Sequence, residues 1–282
     1  MKKRHWIIVA AFICLVPACF IISRMAGLPT NFAFRQQGRA EAAEASVPLY
    51  VQVLADAYPD NITGYRDGAI VLRGGTRMVC DDRRDKDYLQ LLDETDIEDM
   101  FKEVYPAGRH DVPEYLHDSG RYRCDAFFRR IYGRNEKKVR KNLATVDWFG
   151  QKIPFSRVNH AADSLKAVER ELKSLYPQYE AYFRQSSSFY WRKVRGADRM
   201  SAHSYGIAID ICTDFSDYWK WSNPDKNETD SITYENRIPA EIVDVFERHG
   251  FISGTKWYHY DTMHFEFRPE LLMYANSVNK LH

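Results

Sequence analysis

Ile207, Ile209 and Ile211 recur at every second position after Gly206, with Ala208, Asp210 and Cys212 between them. A period of two marks a strand with one buried face, because successive side chains point to opposite sides of a pleated backbone. The isoleucines therefore define a core face, and Asp210 lies on the other. A second alternation runs through the aromatic region Trp257 to Phe267. There Phe265 and Phe267 share one face while His264, Glu266 and Arg268 share the opposite one. Between these stretches Pro239 opens a helix carrying Ile242, Val245, Phe246 and His249, and Gly250 caps it.

Upstream the periodicity is mostly helical. Thr95 with Glu98 reads as a capping box, followed by Ile97, Met100, Phe101 and Val104 at helical spacing until Pro106. A second helix is expected from Asp125 to Tyr132, with Gly133 at its end. A third runs from about Ala161 to Leu175, its buried stripe formed by Leu165, Val168, Leu172 and Leu175, and Pro177 stops it. These stripes are core. Ala69 to Arg73, Gly74-Gly75 and Thr76 to Cys80 read as a hairpin, and Asp81 to Asp87 as a surface loop. Helices first and strands later predict an α+β domain, an antiparallel sheet with flanking helices, rather than repeated βαβ units.

The N-terminus follows another pattern. Lys2, Lys3 and Arg4 precede an apolar run from Trp6 to Ile22. A basic flank before such a run reads as a secretion signal or membrane anchor over residues 1–24, with the rest outside the cytoplasm. Residues 25–47 carry little apolar periodicity and read as a flexible tether. The soluble part begins at 48, with 48–160 as its N-terminal portion. Forty basic residues nearly cancel 39 acidic ones, which argues against a nucleic-acid partner, since phosphate contacts need a clustered basic excess. Cys14 and Cys19 fall in the apolar run. Cys80, Cys124 and Cys212 remain, and an oxidising compartment would permit a Cys80–Cys124 bridge.

Two segments carry chemistry: Ser201 to Asp210, containing His203, and Trp257 to His264, containing His259 and Asp261. Imidazole and carboxylate are good zinc ligands, and two histidines with one carboxylate leave a fourth position for water. His203 and Asp210 cannot share one face of a straight strand, but Gly206 offers the turn that brings them together. Taken singly, each of these residues is as readily explained by ordinary hydrogen bonding. Tyr205, His259 and Tyr260 are candidates for supporting contacts or a substrate wall. On strand parity, His259 shares a side with Trp257 and Asp261, where it either orients Asp261, replaces His264 as a ligand, or joins an aromatic cluster. Glu266, on the face of His264, is placed to orient that imidazole or to pair with Arg268. Trp219 and Trp221, in the loop from Phe215 to Tyr234, either rim a groove or clamp the core.

Ser201-x-His203-x-x-Gly206-x-Ala208-x-Asp210 followed by Asp261-x-x-His264 resembles the D-alanyl-D-alanine carboxypeptidase and L-alanyl-D-glutamate endopeptidase superfamily. The continuation His264-Phe-Glu-Phe-Arg268-Pro-Glu270 resembles its endopeptidase-like branch, and the likeness is strongest from Phe189 to Leu272. The resemblance implies a Hedgehog/D,D-peptidase-like zinc peptidase fold with its core in residues 161–282. It implies Zn2+ held by His203, Asp210 and His264, Asp261 as catalytic carboxylate, and Arg192 facing the substrate, with Arg195 and Arg199 as nearby rivals. It further implies hydrolysis of peptidoglycan peptides in the bacterial cell envelope. Internal cleavage is favoured over removal of a terminal D-alanine, and a zinc-stabilised binding module without turnover is the remaining alternative.

Overall fold

The computed structural model describes residues 46–280. The expected anchor, almost all of the tether, Cys14 and Cys19 lie outside the described residues. Pro48 stands before the first helix, α1 (Leu49–Ala57), which buries Val51, Val53 and Leu54. An antiparallel meander follows: β1 (Ile62–Arg66), β2 (Ala69–Leu72) and β3 (Arg77–Val79). The last two strands form the hairpin expected from Gly74-Gly75.

The next segment departs from the sequence reading in two ways. The helix lies earlier, as α2 (Tyr88–Asp93), and the capping box is Asp87 with Gln90. Thr95 instead donates its hydroxyl to the Leu91 carbonyl, and only a three-residue 3-10 turn, Asp99–Phe101, follows. The reason is local competition for backbone amides: Asp96 and Asp99 each accept the other's N–H, at 2.9 and 3.0 Å. The 81–87 stretch is also more than a surface loop. Its Lys86 is buried, with its ammonium 2.5 Å from Asp99, 2.9 Å from Asp82 and 3.2 Å from Asp96.

The chain continues through α3 (Asp125–Tyr132), α4 (Glu136–Lys141), the hairpin β4 (Leu143–Trp148) and β5 (Gln151–Ser156), and α5 (Ala161–Leu175). Helix α5 buries Leu165, Val168 and Leu172, but Leu175, expected in the same stripe, is 56% exposed. It is the last helical residue, beyond the final turn that packs. Then come β6 (Ala208–Asp210), α6 (Trp219–Ser222), α7 (Ala240–Arg248), β7 (Phe251–Gly254), β8 (Asp261–Phe267) and α8 (Pro269–Asn279).

The sheet that positions the site has the order β6-β8-β7, antiparallel throughout. Ile209 pairs with Phe265 and Asp210 with His264. Directly opposed residues share a face, so this register puts two apolar side chains toward the core and a carboxylate beside an imidazole on the other side. Phe265 stacks on Phe246 of α7 with centroids 3.8 Å apart. One apolar core runs from Val51 of α1 to Leu272 of α8, and the fold is α+β. Cys80 and Cys124 both lie in this core as free thiols, so the structure carries no bridge between them. Among the described residues no helix is long and apolar enough to cross a membrane.

Candidate metal centre and its cavity

His203 sits in a 3-10 turn, Ala202–Tyr205, that ends at Gly206 in the left-handed conformation, φ 66°. A Cβ at Gly206 would stand 2.5 Å from Leu143 Cδ2, so the turn that aims His203 requires glycine on two counts. His203 Nδ1 donates to the Ser188 carbonyl at 2.7 Å. That fixes the ring and leaves Nε2 as a lone-pair donor. On β8, His264 directs Nε2 toward Glu266 Oε2 at 3.4 Å, leaving Nδ1. Asp210 offers Oδ1 from the neighbouring strand.

These three atoms face one another. His203 Nε2 is 3.2 Å from His264 Nδ1 and 3.2 Å from Asp210 Oδ1, which is 3.1 Å from His264 Nδ1. Zinc bonds of about 2.0–2.1 Å in a tetrahedron place ligand atoms roughly 3.3–3.4 Å apart. The donor set therefore fits a tetrahedral cation within a few tenths of an ångström, and one vertex stays open.

The electrostatics agree. Burial alone would lower the His264 imidazole, but hydrogen bonds to Asp210 and Glu266 outweigh it and push it up to about 10. Asp210 is held well below the usual carboxylate range by the two imidazoles, despite burial. Two electron-pair donors and an anion thus share a positive charge that a divalent cation can supply in place of a proton.

Behind His264 lies a buried ionic chain. Glu266 accepts from Arg123 Nη1 at 2.9 Å and from Arg268 Nη1 at 3.2 Å. Arg268 also pairs with Glu270, which accepts from Tyr58 at the end of α1 at 2.9 Å. Glu266 therefore serves both roles open in the sequence. It contacts His264 and pairs with Arg268.

Asp261 begins β8 and lines the same cavity of about 520 Å³ as the three donors. Burial, and then the charge of Asp210, push its carboxyl up to about 6. Arg192 is exposed and lines that cavity too. Its backbone N–H donates to Ser204 Oγ, one residue past His203. Trp219 is buried, whereas Trp221 is 56% exposed at the cavity rim.

His259 lines the cavity together with Trp257 and Asp261, on the side where the sequence reading put it, but not by strand pairing. β8 starts only at Asp261, and the preceding residues turn, so parity does not reach back to His259. Its Nδ1 lies 2.6 Å from Asp118 Oδ2, Asp118 also accepts its backbone N–H, and Trp219 packs edge-on to its ring. The structure does not bring it into the three-donor cluster. Tyr205 and Tyr260, candidates for supporting contacts or a substrate wall, are fully buried; Tyr205 packs against Phe128 and donates to Asp125. Neither lines the cavity.

Sequence reasoning missed Asp118, Arg121, Arg123 and Glu228. Arg121 is clamped by Glu228 through two 2.9 Å hydrogen bonds and by Asp118 at 3.0 Å, and both Arg121 and Arg123 line the cavity. Their key partners, Glu228 for Arg121, Glu266 for Arg123 and His259 for Asp118, lie more than a hundred residues away, and no spacing rule reaches that far.

Comparison with known proteins adds one finding. Residues 195–267 match the family model described as D-alanyl-D-alanine carboxypeptidase. Comparison with curated proteins and with solved structures gives no match. The matched stretch contains His203, Asp210, Asp261 and His264 and stops short of Arg192. The region that builds the three-donor cluster is thus similar to the D-alanyl-D-alanine carboxypeptidase family of peptidases.

Proposed function

We propose that this chain is a zinc-dependent peptidase that cleaves within the peptides of bacterial peptidoglycan. The observation that carries the reading is the convergence of His203 Nε2, Asp210 Oδ1 and His264 Nδ1 at 3.1–3.2 Å, in a cavity that also holds half-buried Asp261. When bound, zinc would supply Lewis acidity toward the amide carbonyl and toward a water at the open vertex. Ser188 and Glu266 hold the two imidazoles in the tautomers that ligation needs. Asp261, with its carboxyl raised toward neutrality, takes the proton of the attacking water and returns it to the departing amine. Arg192 stabilises the negative charge that develops on the carbonyl oxygen.

Internal cleavage is favoured because the cavity does not end at the cluster. A second one, of about 570 Å³, adjoins it across Arg195, Arg199, Tyr218 and Trp219, which line both. That leaves room for substrate on both sides of a scissile bond. Removal of a terminal D-alanine is the second reading, favoured by the description of the matching family. We assign the domain to a Hedgehog/D,D-peptidase-like fold, with the N-terminal basic and apolar segment delivering it to the periplasm or cell surface.

Metal analysis of the purified protein and of His203→Ala and His264→Ala variants tests the ligands. About one zinc is expected in the parent and a large loss in each variant; full occupancy after the His264 change rejects the assignment. Weighing the products from defined muropeptides tests the bond. Free D-alanine without internal fragments would favour the second reading.

A further inference from the structure

The wall between the two cavities is a hairpin of the chain, residues 193–200. Lys193 and Met200 pair across it, Val194 N–H donates to the Arg199 carbonyl at 2.9 Å, and Gly196 turns it with φ 78°. Its charges are unevenly matched. Lys193 pairs with Asp198 on the hairpin itself. Arg195 is exposed, lines both cavities and has no acidic partner among the described residues.

Arg199 is the less usual case. It is only 9% exposed, lines both cavities, and reaches one carboxylate, Asp93, at 2.6 Å through Nη1. Its Nε is buried and has no hydrogen-bond partner among the described residues. Burial, then the neighbouring guanidiniums of Arg121 and Arg123, pull it below its usual value, so Asp93 alone does not compensate it. A buried guanidinium with an unused donor is costly unless an anion completes it.

We propose that Arg199 and Arg195 form a carboxylate-binding subsite on the hairpin, which holds an acidic group of the peptide substrate in the second cavity. The subsite is separate from Arg192, which faces the first cavity only. Guanidinium geometry suits a carboxylate, which accepts two parallel N–H bonds. The proposal rests on the peptidase reading for the identity of the ligand. It adds that the enzyme selects peptides carrying a free carboxylate away from the scissile bond. That carboxylate is either an acidic residue of the peptide or its C-terminus.

The test measures binding rather than turnover. Asp261→Asn protein, loaded with zinc, is titrated with a wall peptide containing the L-Ala–D-Glu bond and with three amidated forms. These carry a carboxamide at the D-Glu carboxyl, at the C-terminus, or at both. Arg195→Gln and Arg199→Gln are made in the same background, with thermal unfolding to check folding. The free acid is expected to bind about tenfold more tightly than the form whose relevant carboxyl is amidated. Each arginine variant should lose that preference, and the preference should shrink as salt is raised. The amidation that removes it identifies the carboxylate. Arg195 is exposed, so its variant decides the matter if Arg199→Gln fails to fold. Affinities within twofold for all four peptides, or a preference that Arg195→Gln leaves unchanged, would overturn the subsite. Arginine-dependent binding without cleavage by the parent protein would instead sink the peptidase reading and leave the subsite standing.

Discussion

Glu266 links the proposed metal site to the interior of the protein. One of its oxygens faces His264, and both are paired with buried arginines. Burial by itself would raise its carboxyl, but Arg123, His264 and Arg268 hold it down at about 2. Glu266→Gln should therefore weaken zinc binding about 10–100-fold, because the imidazole loses its charged acceptor. It should also lower stability by about 3–5 kcal/mol, since buried Arg123 loses its carboxylate partner and Arg268 keeps only Glu270. Competition with a chromophoric chelator reads the first effect and urea unfolding the second. Unchanged zinc affinity would mean that Glu266 only neutralises the arginines. At this scale the sequence was informative about His203, Asp210, Asp261 and His264, because each sits in a short motif whose spacing is local. It was silent on Asp118, Arg121 and Arg123, whose meaning comes from Glu228, His259 and Glu266, distant in the chain.

At the scale of elements, the site depends on one turn and one register. Gly206 reverses the chain so that His203 and Asp210 meet, and the pairing of Asp210 with His264 brings in the third donor. Gly206→Ala should cost about 1–3 kcal/mol, from a non-glycine residue in the left-handed region and from the clash with Leu143. Metal affinity should fall with it, because the cost is relieved by moving His203. Circular dichroism melting and zinc titration of the variant measure both; a variant as stable and as tight as the parent would show that the turn tolerates a side chain. The alternation of Ile207, Ile209 and Ile211 made this sheet legible beforehand, as period two admits few alternatives. The region around Thr95 was misread because Asp96, Asp99 and buried Lys86 satisfy one another and outcompete a helix. Periodicity alone does not register side chains that capture backbone amides. The reading of His259 on the side of Trp257 and Asp261 agrees with the cavity lining, but its partner Asp118 was not legible in the sequence.

For the molecule as a whole, buried carboxylates with depressed values make stability depend on acid. Glu266 is held at about 2 against an ordinary 4.5, and Asp118 is held below its usual range by Arg121 and His259 against the effect of burial. Such groups contribute fully above their unfolded values, and the contribution is lost as pH falls through the folded ones. Unfolding free energy should therefore drop as pH falls from about 4.5 toward 2, and the drop should be shallower in Glu266→Gln. A flat profile in urea titrations across that range would contradict it. The same architecture joins α1, through Tyr58, Glu270, Arg268 and Glu266, to His264 on the sheet. The central claim is that the three-donor cluster and Asp261 act together on wall peptides. Its most direct test compares parent protein and Asp261→Asn, each shown to carry about one zinc, on the same defined muropeptides by mass spectrometry. The account predicts internal fragments from the parent and a rate about 10²–10⁴-fold lower from the variant at equal zinc content; equal rates, or no product from zinc-loaded parent on any muropeptide, would contradict it.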